Sequence, residues 1–364
     1  MSFRIKIASQ FKEFQKLVLV SVLIGFLASF LAVSLKRITE HYEDIFFLKA
    51  TQINFLYFLF PLFGLTIIYF LRKYLFKNKE NKGIKEIFEC TESPNKNLPI
   101  YKIPSHFING FFTVIFGGST GIEVSTVVSS ATIGSVAQRK ANFLHKYKTE
   151  LICAGIAAGI TALFCSPIAG ILFSVEVISR KVNKTLLFTN SIAVFVASLL
   201  VYVLNEPTLF VIKISTWHIH AIPYFVILGI LAGINSVFLT KCVLFFKSQF
   251  LKIEKNQNKV LVGTVIIGSA ILLLPILYGD SYHGVKEILG HSNTNFTLKF
   301  FLSIFGILLL KPIITAITLA SGGDGGVFAP SLVIGAFLGF FVATFLNTFF
   351  NANVLPINFI IIGM

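Results

Sequence analysis

Apolar residues fall into runs at about 17–35, 53–71, 106–118, 126–138, 150–164, 167–178, 186–204, 222–246, 259–277, 299–320, 328–350 and 354–364, separated by shorter polar stretches. The period-2 alternation of a membrane β-barrel is absent, so the runs predict helices. Several are long enough to cross about 30 Å of hydrocarbon. Others are short and cut by Gly, Ser and Pro. A short helix cannot span alone. It can meet a second half-helix inside the membrane, where protein or water satisfies the freed backbone groups. The pattern therefore predicts an all-α, polytopic integral membrane protein with broken, re-entrant helices.

Composition sharpens this. Hydrophobic residues are 55% of the 364, charged residues 13%, Phe occurs 41 times, and the mean hydropathy is +0.82. A soluble domain carries about 25% charge, so a water-soluble, disordered or collagen-like chain is excluded. The net charge of +15 would suggest nucleic acid in a soluble protein. In a membrane protein it marks cytoplasmic loops instead. Lys and Arg concentrate in 1–16, 71–105, 139–149, 179–185 and 241–259 and are sparse in 36–51, 205–221 and 278–299. The first group is placed in the cytoplasm, which makes 150–178 a hairpin that leaves and re-enters that side. Basic loops of this kind read as topology signals rather than lipid head-group sites.

The expected organisation is an amphipathic cytoplasmic helix at 1–16, a first membrane repeat at 17–204 and a second at 205–364. The chain stops inside the apolar segment NFIIIGM, which reads as a second repeat incomplete at its C-terminus. The cysteines Cys90, Cys153, Cys165 and Cys242 form no CxxC pair, so a disulfide framework or zinc site has little support. His218 and His220 are a weak metal signal. There is no HExxH and no phosphate-binding P-loop, and no nucleophile–base pair or metal triad for an intramembrane enzyme. No cofactor is expected.

Ionisable residues within apolar segments are costly unless they face a wet cavity or a partner. The candidates are Glu123, Glu176, Lys311 and, at a segment edge, Asp324. Glu123 lies in FGGSTGIEVSTVVSSATIG (116–134), near the amino end of a half-helix where unsatisfied N–H groups and the positive dipole end favour an anion. Its carboxylate either gates that anion site or simply stabilises its own helix. A second glycine-rich turn, ASGGDGGVFAPSLVIGAF (320–337), opens another apolar helix. Backbone N–H groups near Val327 and Phe328 are positioned by sequence to face the same anion. Two such turns in opposite halves are a mark of inverted repeats meeting near the midplane. A third breakpoint, FCSPIAGILFSVEV (164–177), offers Ser166 as cap and Pro167 at the first helical position. Glu176 near its end is either functional or an interfacial partner for Arg180 at i+4.

GIEVS (121–125), SPIAGILFSVEV (166–177) and KPIITAITLASGGDGGVFAP (311–330) resemble the CLC chloride channels and chloride/proton exchangers, in order along essentially the whole chain. The stretch Gly325 to Pro330 is a close match, while GIEVS matches the family's G-[KR]-E-G-P turn only at Gly121 and Glu123. The resemblance implies an inverted-repeat architecture and a homodimer in the inner (plasma) membrane, with one anion pathway per subunit. It implies chloride or another small anion as the permeant partner, and no nucleic acid. Glu123 would be the external gate, and Gly121, Gly326, Val327 and Phe328 would line the anion path. Lys311 falls where the family carries a basic residue, which favours a structural role. The family's G-S-G-I-P turn appears as NKGIK (81–85): Gly83 and Ile84 match, but Lys82 replaces the anion-coordinating serine. The exchangers' internal proton glutamate would be the second of an adjacent pair. Here Glu176 matches the first position and Val177 occupies the second. The family's last helices, with an anion-binding tyrosine, are not in the sequence. On the strength of Val177 the sequence favours passive anion conduction, with chloride/proton exchange through Glu123 and Glu176 as the alternative.

Overall fold

Helices form along nearly every apolar run. The computed structural model describes residues 2–79, 81–93, 95–140, 145–210, 212, 216–290 and 298–364. In chain order the helices are α1 (Ser2–Gln52), α2 (Leu56–Phe70), α3 (Ile84–Glu92), α4 (Lys102–Ile115), α5 (Glu123–Lys140), α6 (Lys148–Phe164), α7 (Pro167–Leu172), α8 (Lys184–Val203), α9 (Ile222–Leu251), α10 (Asn256–Leu273), α11 (Tyr282–Gly290), α12 (Leu298–Ala320), α13 (Phe328–Phe350) and α14 (Pro356–Gly363). Two π-helical segments, Leu71–Leu75 and Phe173–Ser179, continue α2 and α7. Among the described residues seven helices are long and apolar enough to cross a membrane, and no strand occurs beyond an isolated bridge between Gly121 and Gly326. The protein is an all-helical, multi-pass membrane protein.

The chain packs as two compact units interleaved in sequence. One comprises 1–39, 79–108 and 122–209, the other 40–78, 109–121 and 210–364. This division reflects packing and does not test the two consecutive repeats expected from sequence. In the first unit, α6 lies between α5 and α8. Small residues let these backbones approach, which is how helices gain van der Waals contact where lipid removes the hydrophobic drive. A Cβ on Gly155 would sit 2.3 Å from the Ser130 carbonyl oxygen, and one on Gly134 would sit 2.2 Å from that of Leu151. Ile87, Val127, Val128, Ile152 and Ile156 close the core beneath α3. Helix α7 starts as its sequence predicts: the Ser166 side chain accepts from the Ala169 N–H, and Pro167 follows. In the second unit α2 packs on α10, α9 on α12, and α13 on α14.

The 36–51 stretch, read from hydropathy as a loop, is helical, because α1 runs unbroken through it. Two of its charges, Lys36 and Glu43, are buried against partners rather than solvated. Lys36 donates to the Pro207 carbonyl at 2.8 Å and lies 3.9 Å from Glu206, which also pairs with Arg37. Further along α1, Glu43 accepts from the Asp280 N–H at 3.1 Å.

Candidate functional site

The two glycine-rich turns meet, and they are built alike. Helix α4 ends with Gly118 N–H donating to the Thr113 carbonyl (2.8 Å), and α12 ends with Gly323 N–H donating to the Thr318 carbonyl (2.9 Å). Each closure is a C-terminal cap that needs a left-handed residue, supplied by Gly117 (φ 82°) and Gly322 (φ 105°). The hydroxyls then cross over: Ser119 N–H donates to Thr318 Oγ1 (3.2 Å) and Asp324 N–H to Thr113 Oγ1 (2.9 Å). Thr113 and Thr318 in turn donate to the carbonyls of Asn109 (2.7 Å) and Ile314 (2.8 Å). Finally Gly121 and Gly326 exchange backbone hydrogen bonds at 3.4 and 3.3 Å. Every equivalent pair is separated by the same offset of 205 residues (113 to 318, 118 to 323, 121 to 326). The sequence carries the signal as T-x3-G-G-x2-G, occurring once from Thr113 and once from Thr318. The glycine runs alone reveal the two turns. The threonines that lock them together are seen only when the runs are aligned in register.

Each turn delivers a helix start two residues beyond its bridged glycine: Glu123 opens α5 and Phe328 opens α13. The first turns differ in chemistry. Glu123 is 4% exposed, a carboxylate at the end of a buried helix whose backbone N–H groups lack intrahelical partners. At the equivalent position stands an aromatic ring, with Val327 39% and Phe328 36% exposed. Gly121 and Gly326 are buried.

Within the first unit, the Lys82–Gly83–Ile84 turn lies against the start of α5. A Cβ on Gly83 (φ 62°) would be 3.5 Å from Val124 Cγ1. Glu86 fastens this turn, accepting from the Lys82 N–H (2.5 Å) and from Lys102 on α4 (2.7 Å), while Lys102 also donates to Asn81 Oδ1 (3.2 Å). Gly83 and Ile84 open α3 with their backbone N–H groups at its amino end, whereas the Lys82 side chain is exposed. Glu86 and Lys102, which set this geometry, were passed over in the sequence because they sit in a basic loop.

Glu176 is not part of this constellation. It is exposed, as is Val177, on the π-helical continuation of α7. The expected pair with Arg180 does not form. A π-helical turn takes more than four residues, so i and i+4 no longer share a face. Arg180 leaves the helix in a left-handed conformation with its guanidinium 4.9 Å from the Phe88 ring centroid.

Lys311 is fully buried and donates to the Gly279 carbonyl (3.0 Å) and Ser281 Oγ (2.6 Å), tying down the 277–281 loop. That loop supports the first glycine turn. Tyr278 donates to the Ile115 carbonyl at 2.6 Å, and its ring fills the space where Gly117 would carry a Cβ, 2.7 Å away. Among the described residues no cluster of three or more His, Cys, Asp or Glu side chains is gathered to hold a metal.

Residues 63–364 match the family model described as voltage gated chloride channel. The H(+)/Cl(-) exchange transporter ClcA of Vibrio cholerae serotype O1 is 26% identical over 95% of this chain and 76% of its own length. Its counterpart from Salmonella paratyphi A is 28% identical over 74% of this chain and 58% of its own length, and that of Vibrio vulnificus 26% over 65% and 52%. The chain thus spans about half the length of some of the curated relatives it matches. A CLC-type fluoride/proton antiporter superposes with a TM-score of 0.76 at 23% identity, covering 96% of this chain and 84% of the other. A slow cyanobacterial Cl-/H+ antiporter does so with 0.79 at 19%, with the same coverage. These findings overturn the expectation of passive conduction, since the relatives and fold neighbours are named as exchangers and antiporters. The physical error was to let one side chain decide the matter. Val177 is exposed on a π-helix, and a valine at one position says nothing of protonatable groups at others. The family model covers residues 63–364, well over half of the sequence, and the chain belongs to the voltage-gated chloride channel family.

Proposed function

We propose that the protein exchanges chloride, or another small anion, for protons across the plasma membrane, working as a homodimer with one pathway per subunit. The observation that carries this reading is Glu123, a buried carboxylate that is the first residue of α5. The helix amino end attracts negative charge. Glu123 when ionised and a permeating anion compete for that attraction. Protonation cancels the carboxylate's charge and surrenders the position to the anion, so proton arrival and anion arrival are linked at one place. Of the residues expected to line the anion path, Gly121 and Gly326 spend their backbone N–H groups on each other's carbonyls and shape the turns instead, which leaves the N–H groups at the head of α13, Val327 and Phe328, for the anion. Those of Gly83 and Ile84 at the head of α3 are assigned the same role, with the exposed Lys82 ammonium drawing anions in. A site made of backbone dipoles binds firmly enough to admit an anion and weakly enough to release it. Glu176 serves, if at all, as an exposed cytoplasmic proton acceptor.

The reading is tested with purified protein in liposomes under an imposed chloride gradient, recording external proton concentration and chloride together. Chloride running down its gradient should drive protons the opposite way, against their own gradient. Chloride flux with no accompanying proton movement would refute exchange. Substituting fluoride for chloride in the same assay identifies the preferred anion.

A further inference from the structure

A cavity of about 470 Å³ opens on the first unit, lined by Glu13, Phe14, Leu17, Lys146, Tyr147, Lys184, Thr185 and Phe188. Two helices enter the apolar layer beside it. The candidate spans begin at Phe11 in α1 and at Lys184 in α8. Its walls are split by chemistry. Phe14 and Phe188 stack with centroids 5.2 Å apart and form an exposed apolar surface one helical turn into the spans. At the outer rim stand the Lys146 and Lys184 ammonium groups and the Thr185 hydroxyl. Lys146 is held by Glu13 at 2.5 Å, and that hydrogen bond raises its pKa above the ordinary lysine value, so it stays charged at any working pH. Lys184 makes no ion pair among the described residues. Of the neighbouring cations, Arg139, Lys148 and Arg180 are engaged elsewhere, by the Leu98 carbonyl, the Ser93 and Lys96 carbonyls and the Phe88 ring, so the lining itself carries two lysines against one acid, Glu13. The rim is thus positive, partly uncompensated and placed at the cytoplasmic boundary by the charge bias.

We infer that this cavity binds an anionic phospholipid, with the head-group phosphate between Lys184, Thr185 and Lys146 and an acyl chain laid along Phe14, Leu17 and Phe188. A phosphate accepts hydrogen bonds from ammonium and hydroxyl donors. Juxtamembrane cations are attracted to anionic lipid. The aromatic pair supplies what a water-soluble phosphate cannot use. In sequence these lysines are indistinguishable from topology signals. The stacked Phe14–Phe188 wall between them is what the fold adds. The inference does not depend on the transport reading.

The test is native mass spectrometry of the protein extracted from vesicles of phosphatidylcholine with and without phosphatidylglycerol, alongside protein in detergent given glycerol-1-phosphate. Wild-type protein should retain phosphatidylglycerol and not phosphatidylcholine. Lys184→Gln and Lys146→Gln should each reduce the retained lipid several-fold, Phe188→Ala should do likewise, and glycerol-1-phosphate should leave no adduct. Thermal unfolding of the same variants confirms that they remain folded, and phosphatidylglycerol should raise the midpoint of the wild type alone. Equal retention of both lipids, or unchanged retention in the lysine variants, would overturn the inference. So would binding of the free phosphate alone, or loss of dimer rather than of lipid in the variants, which would assign the cavity to a second copy of the chain.

Discussion

Glu123 and Phe328 occupy equivalent places at the heads of α5 and α13. A carboxyl group can take up and release a proton, and a phenyl ring cannot. Around them the tolerance for change is small. Gly118 has Thr113 O and Cγ2 each 2.6 Å from where a Cβ would stand. Both are held by the clasp, so Gly118→Ala must displace the turn. It should cost roughly 1–3 kcal/mol, read as a lower thermal midpoint in detergent, and should slow transport more than it destabilises. Lys82 differs, because its side chain is exposed and the role proposed for it is long-range attraction. Lys82→Ser should lower anion entry from the cytoplasmic side at low ionic strength and have little effect at high salt, where screening removes the attraction. An equal reduction at all salt concentrations would mean that Lys82 shapes the path rather than charging its mouth.

The clasp between the α4 and α12 ends is a unit, and it should behave as one. Thr113→Val leaves the Asp324 N–H without its acceptor, and Thr318→Val does the same to Ser119. Each should cost roughly 1–3 kcal/mol for an orphaned buried donor. The double variant should cost less than the two together, since either change already opens the shared turn. Tyr278→Phe leaves the buried Ile115 carbonyl without its donor while the ring stays against Gly117, so it should cost roughly 1–3 kcal/mol, read as a lower thermal midpoint. Sequence reading reached the broken helices and both glycine turns because glycine is required where a helix ends left-handed. It missed the clasp because its information lies in a register between distant segments. It missed the Lys36–Glu206 and Glu86–Lys102 pairs because charges at segment ends look solvated until a partner is seen. It misjudged Glu176 and Arg180 because a π-helical slip leaves no mark in hydrophobic spacing.

At the scale of the whole molecule, two interleaved units share the long helix α1, which gives its first 39 residues to one and the rest to the other. Within the first unit α1 is fastened to the segment after α8 by Lys36, Arg37 and Glu206. Glu206→Gln leaves the buried Lys36 without its counter-charge and should cost about 3 kcal/mol, seen as a lower melting midpoint. Fold class and family were legible in the sequence, while the mode of transport was not. It depends on where a proton travels, and the absence of one carboxylate at Val177 says little about that. The decisive measurement is the proton-coupled flux assay repeated with Glu123→Gln, a neutral isostere that can neither bind nor release a proton. The account predicts that the variant, reconstituted in liposomes, still passes chloride, that its flux no longer varies with pH, and that chloride no longer drives protons. Proton movement persisting at the wild-type ratio to chloride would contradict it.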